Sequence, residues 1–259
     1  MSRESKATGE KLQPQGGGYY RLAQGACLLA LLAVATVVLA GIGNRFGWWN
    51  FRISLQILRW AAAAGAAALV LSLTITVLNW LRAARAGLVF SIVGLVAGLM
   101  ITGTALNWRQ LARSVPPIHD ISTDTDNPPQ FHDILALRKD APNPPFYGGP
   151  EIAAQQRAAY PDIKPLTLAV PTDKAFDLAL AAARAMGWEI VASSPAEGRI
   201  EATATTFWFG FKDDVVVRIA PDRQGSRVDV RSVSRVGRSD VGTNARRIRA
   251  YLQKLSSNG

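Results

Sequence analysis

One cysteine, Cys27, and two histidines, His119 and His132, stand among 259 residues. Their scarcity removes several kinds of chemistry before any pattern is read. A single thiol cannot close an intramolecular disulfide, and two histidines cannot furnish a histidine-rich metal centre. Nucleophilic catalysis fares no better, because the thiol lies inside an apolar run and both histidines lie in a proline-rich stretch. Charge is scarce too: 19% of residues are charged against 49% hydrophobic, with a mean hydropathy of +0.11. That balance is too apolar for one ordinary soluble domain and too polar for a pure membrane bundle, so two parts are expected. Neither a cofactor nor an enzymatic activity is expected.

Three windows, residues 22–44, 60–81 and 86–108, contain no charged side chain. At about 1.5 Å per residue each is long enough to cross a hydrocarbon core of roughly 30 Å, so a three-helix transmembrane region over 21–109 is predicted, behind a flexible tail over 1–20. The first window is too long for the hydrophobic part of a signal peptide and reads as an uncleaved anchor. Trp48, Trp49, Trp60, Trp80 and Trp108 fall at or just beyond the window ends, where an indole sits best between headgroups and acyl chains. The alanine-rich second span and the Gly94/Gly98 pair of the third allow close helix approach. No acidic, basic or histidine side chain lies inside a span, which removes the usual signature of an ion path or transporter site.

Residues 1–113 hold 11 basic and 2 acidic side chains, so most of the excess positive charge flanks the spans, where it sets topology. The tail and the very short turn bearing Arg82 and Arg85 share one side, with six basic residues including Arg3, Lys6, Lys11 and Arg21. The other side has five near the membrane: Arg45, Arg52, Arg59, Arg109 and Arg113. The doubly basic turn favours that side as cytoplasmic, while the aromatic 44–59 loop lies in the interface. The expected placement is therefore a bacterial inner membrane with the C-terminal domain periplasmic, a compartment that its lack of cysteine fits.

Ten of the 14 prolines lie between residues 114 and 165. Proline removes amide donors and biases its predecessor to extended geometry, so the stretch 110–162 is expected to hold no regular helix or central strand. It is either a stiff connector or a drape over the next domain. Asp124, Asp126 and Asn127 superficially suggest calcium, but the loop glycine and closing glutamate of an EF-hand are missing, and Asx-turns before Pro128-Pro129 are the better reading.

From residue 163 to 259 an α+β domain is predicted. A strand over 166–170 leads to a helix capped by Thr172 and stopped by Gly187. Alternating strands follow at 188–194, 199–209, 214–220 and 226–235, then a helix over about 243–256. The order βαββββα gives one antiparallel sheet with both helices on its apolar face, a helix-grip or TBP-like arrangement. Its other face is expected to stand open and to carry function. Arg227, Asp229, Arg231 and Arg235 alternate outward on the last strand, and residues 218–259 hold ten basic and three acidic groups. An anionic ligand, a lipid headgroup or an acidic membrane or envelope protein suits such a face, and cross-strand Arg–Asp pairs that merely solvate it are the alternative. The run Phe207-Trp208-Phe209-Gly210-Phe211 either anchors the domain at the bilayer, lines a groove, or packs the core and protects an edge.

Four pieces in order carry a family resemblance: IHDISTDTDNPPQF at 118–131, YPDIKPL at 160–166, DDVVVR at 213–218 and VDVRSVSRVGRSDVGTNARRIRAYL at 228–252. Together they resemble the DUF1499 family of bacterial and plastid proteins, over about 115–256. Similar proteins often carry N-terminal membrane spans. The family is one of unknown function, so the resemblance implies a domain boundary and no reaction. The residues here that match its motifs, Asp213, Asp214, Arg218, Arg235, Arg238, Asp240, Asn244 and Arg247, are candidates either for a shared binding site or for a structural network locking the last helix to the sheet. As a carboxylate pair Asp213 and Asp214 would point to opposite strand faces, which disfavours an envelope hydrolase. Nucleic acid is disfavoured as a partner because the basic patch lacks a recognised fold for it. The leading expectation is a non-enzymatic membrane-anchored binding module; an assembly subunit acting through its spans is the second.

Overall fold

The computed structural model describes residues 17–81, 85 and 87–257. The tail as far as residue 16 and Arg82 of the basic turn lie outside the described residues. The chain divides into two compact units, one running through Gly43 and over Trp49–Leu106, the other made of Asn44–Trp48 and Asn107–Gly259.

Three helices, α1 (Gly17–Arg45), α2 (Phe51–Leu81) and α3 (Leu88–Ser114), are each long and apolar enough to cross a membrane. The loop expected over 44–59 is much shorter, because α2 begins at Phe51. Asn50 explains the early start: its Oδ1 accepts from the amides of Arg52 at 3.0 Å and Ile53 at 3.2 Å, capping the helix ahead of the charge-free window. Arg52 and Arg59 therefore ride on helix rather than loop. Small residues allow the helices to touch: a Cβ on Gly98 would lie 2.8 Å from the Leu69 amide and 2.9 Å from the Gly65 carbonyl, and one on Gly94 would strike the Ser72 hydroxyl. Trp60, Trp80 and Trp108 are exposed along the helix surfaces. Trp49 instead packs against Gly43 and donates from Nε1 to Ser54 Oγ at 2.8 Å. Gly98→Val should cost about 1–3 kcal/mol by forcing α2 and α3 apart, whereas Gly103→Val, which meets open space, should be neutral. Thermal unfolding of the detergent-solubilised protein would read the difference.

In the second unit β2 (Leu166–Leu168), α5 (Thr172–Ala185), β3 (Glu189–Ser194), β4 (Arg199–Thr205), β5 (Lys212–Asp222), β6 (Gly225–Ser234) and α6 (Thr243–Ser256) follow the predicted βαββββα order. Thr172 is the first helical residue rather than the cap, which falls on Pro171. The sheet is antiparallel in the order β6-β5-β4-β3, and Gly198 turns into β4 with a φ of 60° where a Cβ would strike the Ile219 carbonyl. Alternation places Ile200, Ala202, Val215, Val217, Ile219, Val228 and Val230 on one face, packed with Phe176, Ala179 and Ala183 of α5 and Ile248, Tyr251 and Leu255 of α6. Trp188 stacks on Tyr251 with ring centroids 4.9 Å apart, and the Tyr251 hydroxyl donates to the Ala179 carbonyl, tying the helices together.

The domain starts earlier than residue 163. β1 (Asp120–Ser122) pairs with the C-terminal half of β6 while β2 pairs with its N-terminal half, so two short strands share one edge of the same partner. A regular helix also forms inside the proline-rich stretch: α4 (Gly149–Ala159) carries Pro150 in its first turn, where a missing amide hydrogen leaves nothing unsatisfied. The remainder of that stretch is a drape rather than a connector. Phe131 and Ile134, the latter on a 3-10 turn over Asp133–Arg138, pack onto Val216 and Val233 of the face opposite the helices. The second face, expected open, is thus covered where those residues lie.

Candidate functional site

Alternation on β5 and β6 separates the candidate residues into two sets. Asp214, Arg218, Asp229, Arg231 and Arg235 face the drape, while Asp213, Ser232 and Ser234 face α6. Asp213 and Asp214 therefore diverge, as a strand requires.

Under the drape every carboxylate meets a guanidinium. The buried Asp214 accepts from Arg235 Nε at 2.9 Å and Nη2 at 2.8 Å, from Thr203 Oγ1 at 2.8 Å, and from Arg138. Arg231, with 0% exposure, makes a bidentate pair with Asp120 at 2.9 and 2.7 Å and donates to the carbonyls of Pro129 and Pro145. The rings of Phe131 and Tyr147 lie 5.1 and 5.6 Å from its guanidinium carbon. Burial pushes the Tyr147 hydroxyl pKa up, and the Asp120 charge adds to the shift. Arg218 and Arg227 both hold Asp229 and Asp124. The other oxygen of Asp124 accepts from the amides of Asp126 and Asn127, so the sequence that superficially suggested calcium is an Asx-turn held to the sheet by arginine. Glu201 accepts from the amides of His132 and Ile134, each at 2.7 Å, and from Arg199. Burial works against the Arg199 charge, but hydrogen bonds to Asp133, Glu197 and Glu201 prevail and raise its pKa.

The physical reason for this density is that a proline-rich covering segment cannot satisfy its backbone through regular structure. Guanidiniums supply donors to its carbonyls and Glu201 supplies an acceptor for its amides. Buried pairs of this kind fix which segment lies where more than they add net stability.

Against α6, Asp213 pairs with Arg247 at 2.5 Å. The buried Asn244 joins three parts of the domain: its Nδ2 donates to the His119 carbonyl and Ser234 Oγ, and its Oδ1 accepts from Ser232 Oγ and Arg247. Asp240 accepts from the amides of Gly242, the N-cap of α6, at 2.8 Å and of Asn244 in its first turn at 2.6 Å. Burial pushes its carboxyl pKa up in spite of those two bonds. Arg238 is exposed and its side chain makes no hydrogen bond or ion pair among the described residues.

Seven of the eight candidates are therefore engaged in the two structural clusters, and Arg238 joins neither. Arg138, Asp120, Asp124 and Glu201 are essential members that pattern reading missed. Asp124 gave a signal in its Asx spacing and Glu201 in the strand alternation that sets it opposite Ile200 and Ala202; Asp120 and Arg138 sit outside any period.

A more open feature lies at the start of α6. A cleft of about 350 Å³ has an apolar wall of Met186, Trp188 and Ala204 and a polar rim of Thr205, Thr243, Arg246 and Arg247. Arg246 reaches Thr243 Oγ1 and the Val241 carbonyl, with no carboxylate partner among the described residues. The cleft is thus half apolar and half cationic.

A family model described as "Protein of unknown function (DUF1499)" matches residues 120–255, from the first residue of β1 to the penultimate residue of α6. None of the curated proteins and none of the solved structures compared matches the chain.

Proposed function

The chain belongs to the DUF1499 family, and from that premise we propose that its α+β domain is a non-enzymatic module that binds an anionic lipid headgroup, held by its spans on the periplasmic face of a bacterial inner membrane. The observation that carries this reading is the cleft at α6: Arg246 on its rim has no neutralising carboxylate among the described residues, in a domain whose sheet guanidiniums are paired. An amphiphile fits such a lining, with phosphate oxygens at Arg246, Thr205 and Thr243 and an apolar portion along Trp188 and Met186. An acidic protein surface would meet the same cations but has less use for the apolar wall.

Two features support the absence of catalysis. Asp213 and Asp214 are each held by guanidiniums, and they face apart. The very short turn bearing Arg82 and Arg85 supports a cytoplasmic N-terminal side, and three spans carry the domain across from it. The assembly-subunit reading stands second because the small-residue seams at Gly65, Gly94 and Gly98 are already filled by the chain's own helices.

The test uses the full chain in detergent micelles, titrated with phosphatidylglycerol or phosphatidylcholine and followed by native mass spectrometry. Phosphatidylglycerol should be retained selectively, and Arg246→Glu should weaken it by about tenfold or more, the equivalent of one charge-assisted hydrogen bond. Equal retention of both lipids, or no effect of the substitution, would overturn the reading. A periplasm-dependent enzymatic reporter fused after Gly259 checks the side of the membrane.

A further inference from the structure

Because Asn50 starts α2 at Phe51, ahead of the charge-free window, two arginines stand on its first turns. Arg52, Leu55, Gln56 and Arg59 recur at the spacing of one helix face and line a cleft of about 420 Å³. All four are exposed. The opposite side of α2 is engaged: Ser54, Ala61 and Gly65 are buried, and Ser54 Oγ donates to the Ala40 carbonyl of α1 at 2.9 Å. Packing of α2 against α1 thus turns the arginine face outward.

The two cations lack counter-charge. No Asp or Glu occurs between residues 11 and 119, so none of the three helices can offer a carboxylate, and neither guanidinium enters an ion pair among the described residues. Arg52 lies instead over the Phe51 ring, 5.8 Å from its centroid. Two like charges over one cleft favour an anion there.

We infer that this cleft binds a lipid diphosphate, with one phosphate at Arg59, the second at Arg52 and the tail running down the apolar surface of α2. Spacing and depth both carry the assignment. Seven residues of helix set the two positions about 10.5 Å apart along the axis. Side chains on a helix lean alike towards its N-terminus, so guanidiniums at this spacing suit anionic groups a similar distance apart. Charge-assisted contacts of about 2.8 Å at each end leave about 5 Å to be filled, which two linked phosphates span and a single one does not. α2 is long and apolar enough to cross the bilayer, and Arg59 adjoins Trp60 at the edge of the charge-free window, with Arg52 two turns further out. The cations are therefore stacked along the direction in which a lipid head leaves its tail. Between them Gln56 offers amide donors to the phosphate oxygens, and Trp60, 71% exposed, offers the tail an apolar surface. The site is built by the membrane unit alone and does not draw on the α6 cleft.

The test titrates the full chain in detergent micelles with farnesyl diphosphate, farnesyl monophosphate or inorganic diphosphate, followed by native mass spectrometry. Farnesyl diphosphate should be retained about tenfold or more tightly than either, the difference that one charge-assisted contact makes. Arg52→Gln and Arg59→Gln should each remove that preference. Arg246→Glu, which probes the α6 cleft, should leave it intact, and so should Arg109→Gln with Arg113→Gln, which takes two exposed positive charges from the end of α3. Equal retention of the mono- and diphosphate esters by the unaltered protein would overturn the proposal whether or not the variants fold. Inorganic diphosphate held as tightly as its ester would remove the lipid from it. A preference lost equally in the α3 variant would reduce the effect to net charge, and one lost only with Arg246→Glu would move the ligand to the α6 cleft; either result sinks the site on α2.

Discussion

Arg231→Met is expected to destabilise the α+β domain by about 3–5 kcal/mol, the loss typical when one member of a buried ion pair is removed. The methionine retains most of the apolar stem but leaves Asp120 charged and nearly fully buried, and strips two donors from the carbonyls of Pro129 and Pro145. Because those carbonyls belong to the drape and Asp120 to β1, the damage should spread to the whole covering segment. Adding Asp120→Leu removes the stranded charge, so the double variant should recover much of the loss despite having fewer contacts. Urea titration of the full detergent-solubilised chain, read by pulse proteolysis of the domain, distinguishes the outcomes. If the double variant were as unstable as the single, the stranded-charge explanation would fail.

A loss of similar size, about 3–5 kcal/mol, is expected of Asp214→Ala. This carboxylate faces two guanidiniums, and they do not have equal recourse. Arg235 lies at the margin of the drape and keeps its contact with Thr203. Arg138 is buried, and among the described residues its Nε has no hydrogen-bond partner and, without Asp214, its guanidinium keeps only the Asn143 carbonyl. Relief comes only if the 3-10 turn that bears Arg138 lifts from the sheet. Limited proteolysis of the full chain should therefore cut residues 131–145 faster in the variant under native conditions, before global unfolding. Unchanged cleavage of that segment would show that Arg138 finds another partner.

Both expectations concern contacts that no periodic pattern announces. Hydrophobic alternation identified the strands from β3 to β6, because each side chain on a pleated strand faces one side or the other. It also separated Asp213 from Asp214. The spacing of apolar residues marked α5 and α6, though the buried edge of α5 runs along Ala175, Ala179 and Ala182 as well as Phe176 and Ala183. Proline misled at α4, where a first-turn Pro150 reads locally as a breaker and acts as a start. The drape escaped because its contacts with the sheet are made by carbonyls, amides and scattered charges.

The candidate site shows the same division. Its residues are real neighbours, and charge counting alone suggested a basic surface. The structure turns most of that charge inward: Arg231 finds Asp120 at a separation of 111 positions, and Arg218 finds Asp124 at 94. What stays outward without a carboxylate partner among the described residues is a smaller set, Arg238 and Arg246 near the start of α6 and Arg223 in the turn between β5 and β6.

Length and the absence of charge decided from the sequence that three helices are long and apolar enough to cross a membrane, since a hydrocarbon core sets a minimum run of apolar residues. Strand alternation likewise decided which residues share a face. Which arginines are available to a ligand was decided only by the tertiary structure. An ion pair depends on distance in space, and the acids that neutralise the basic face arrive from a segment with no regular pattern to betray its path.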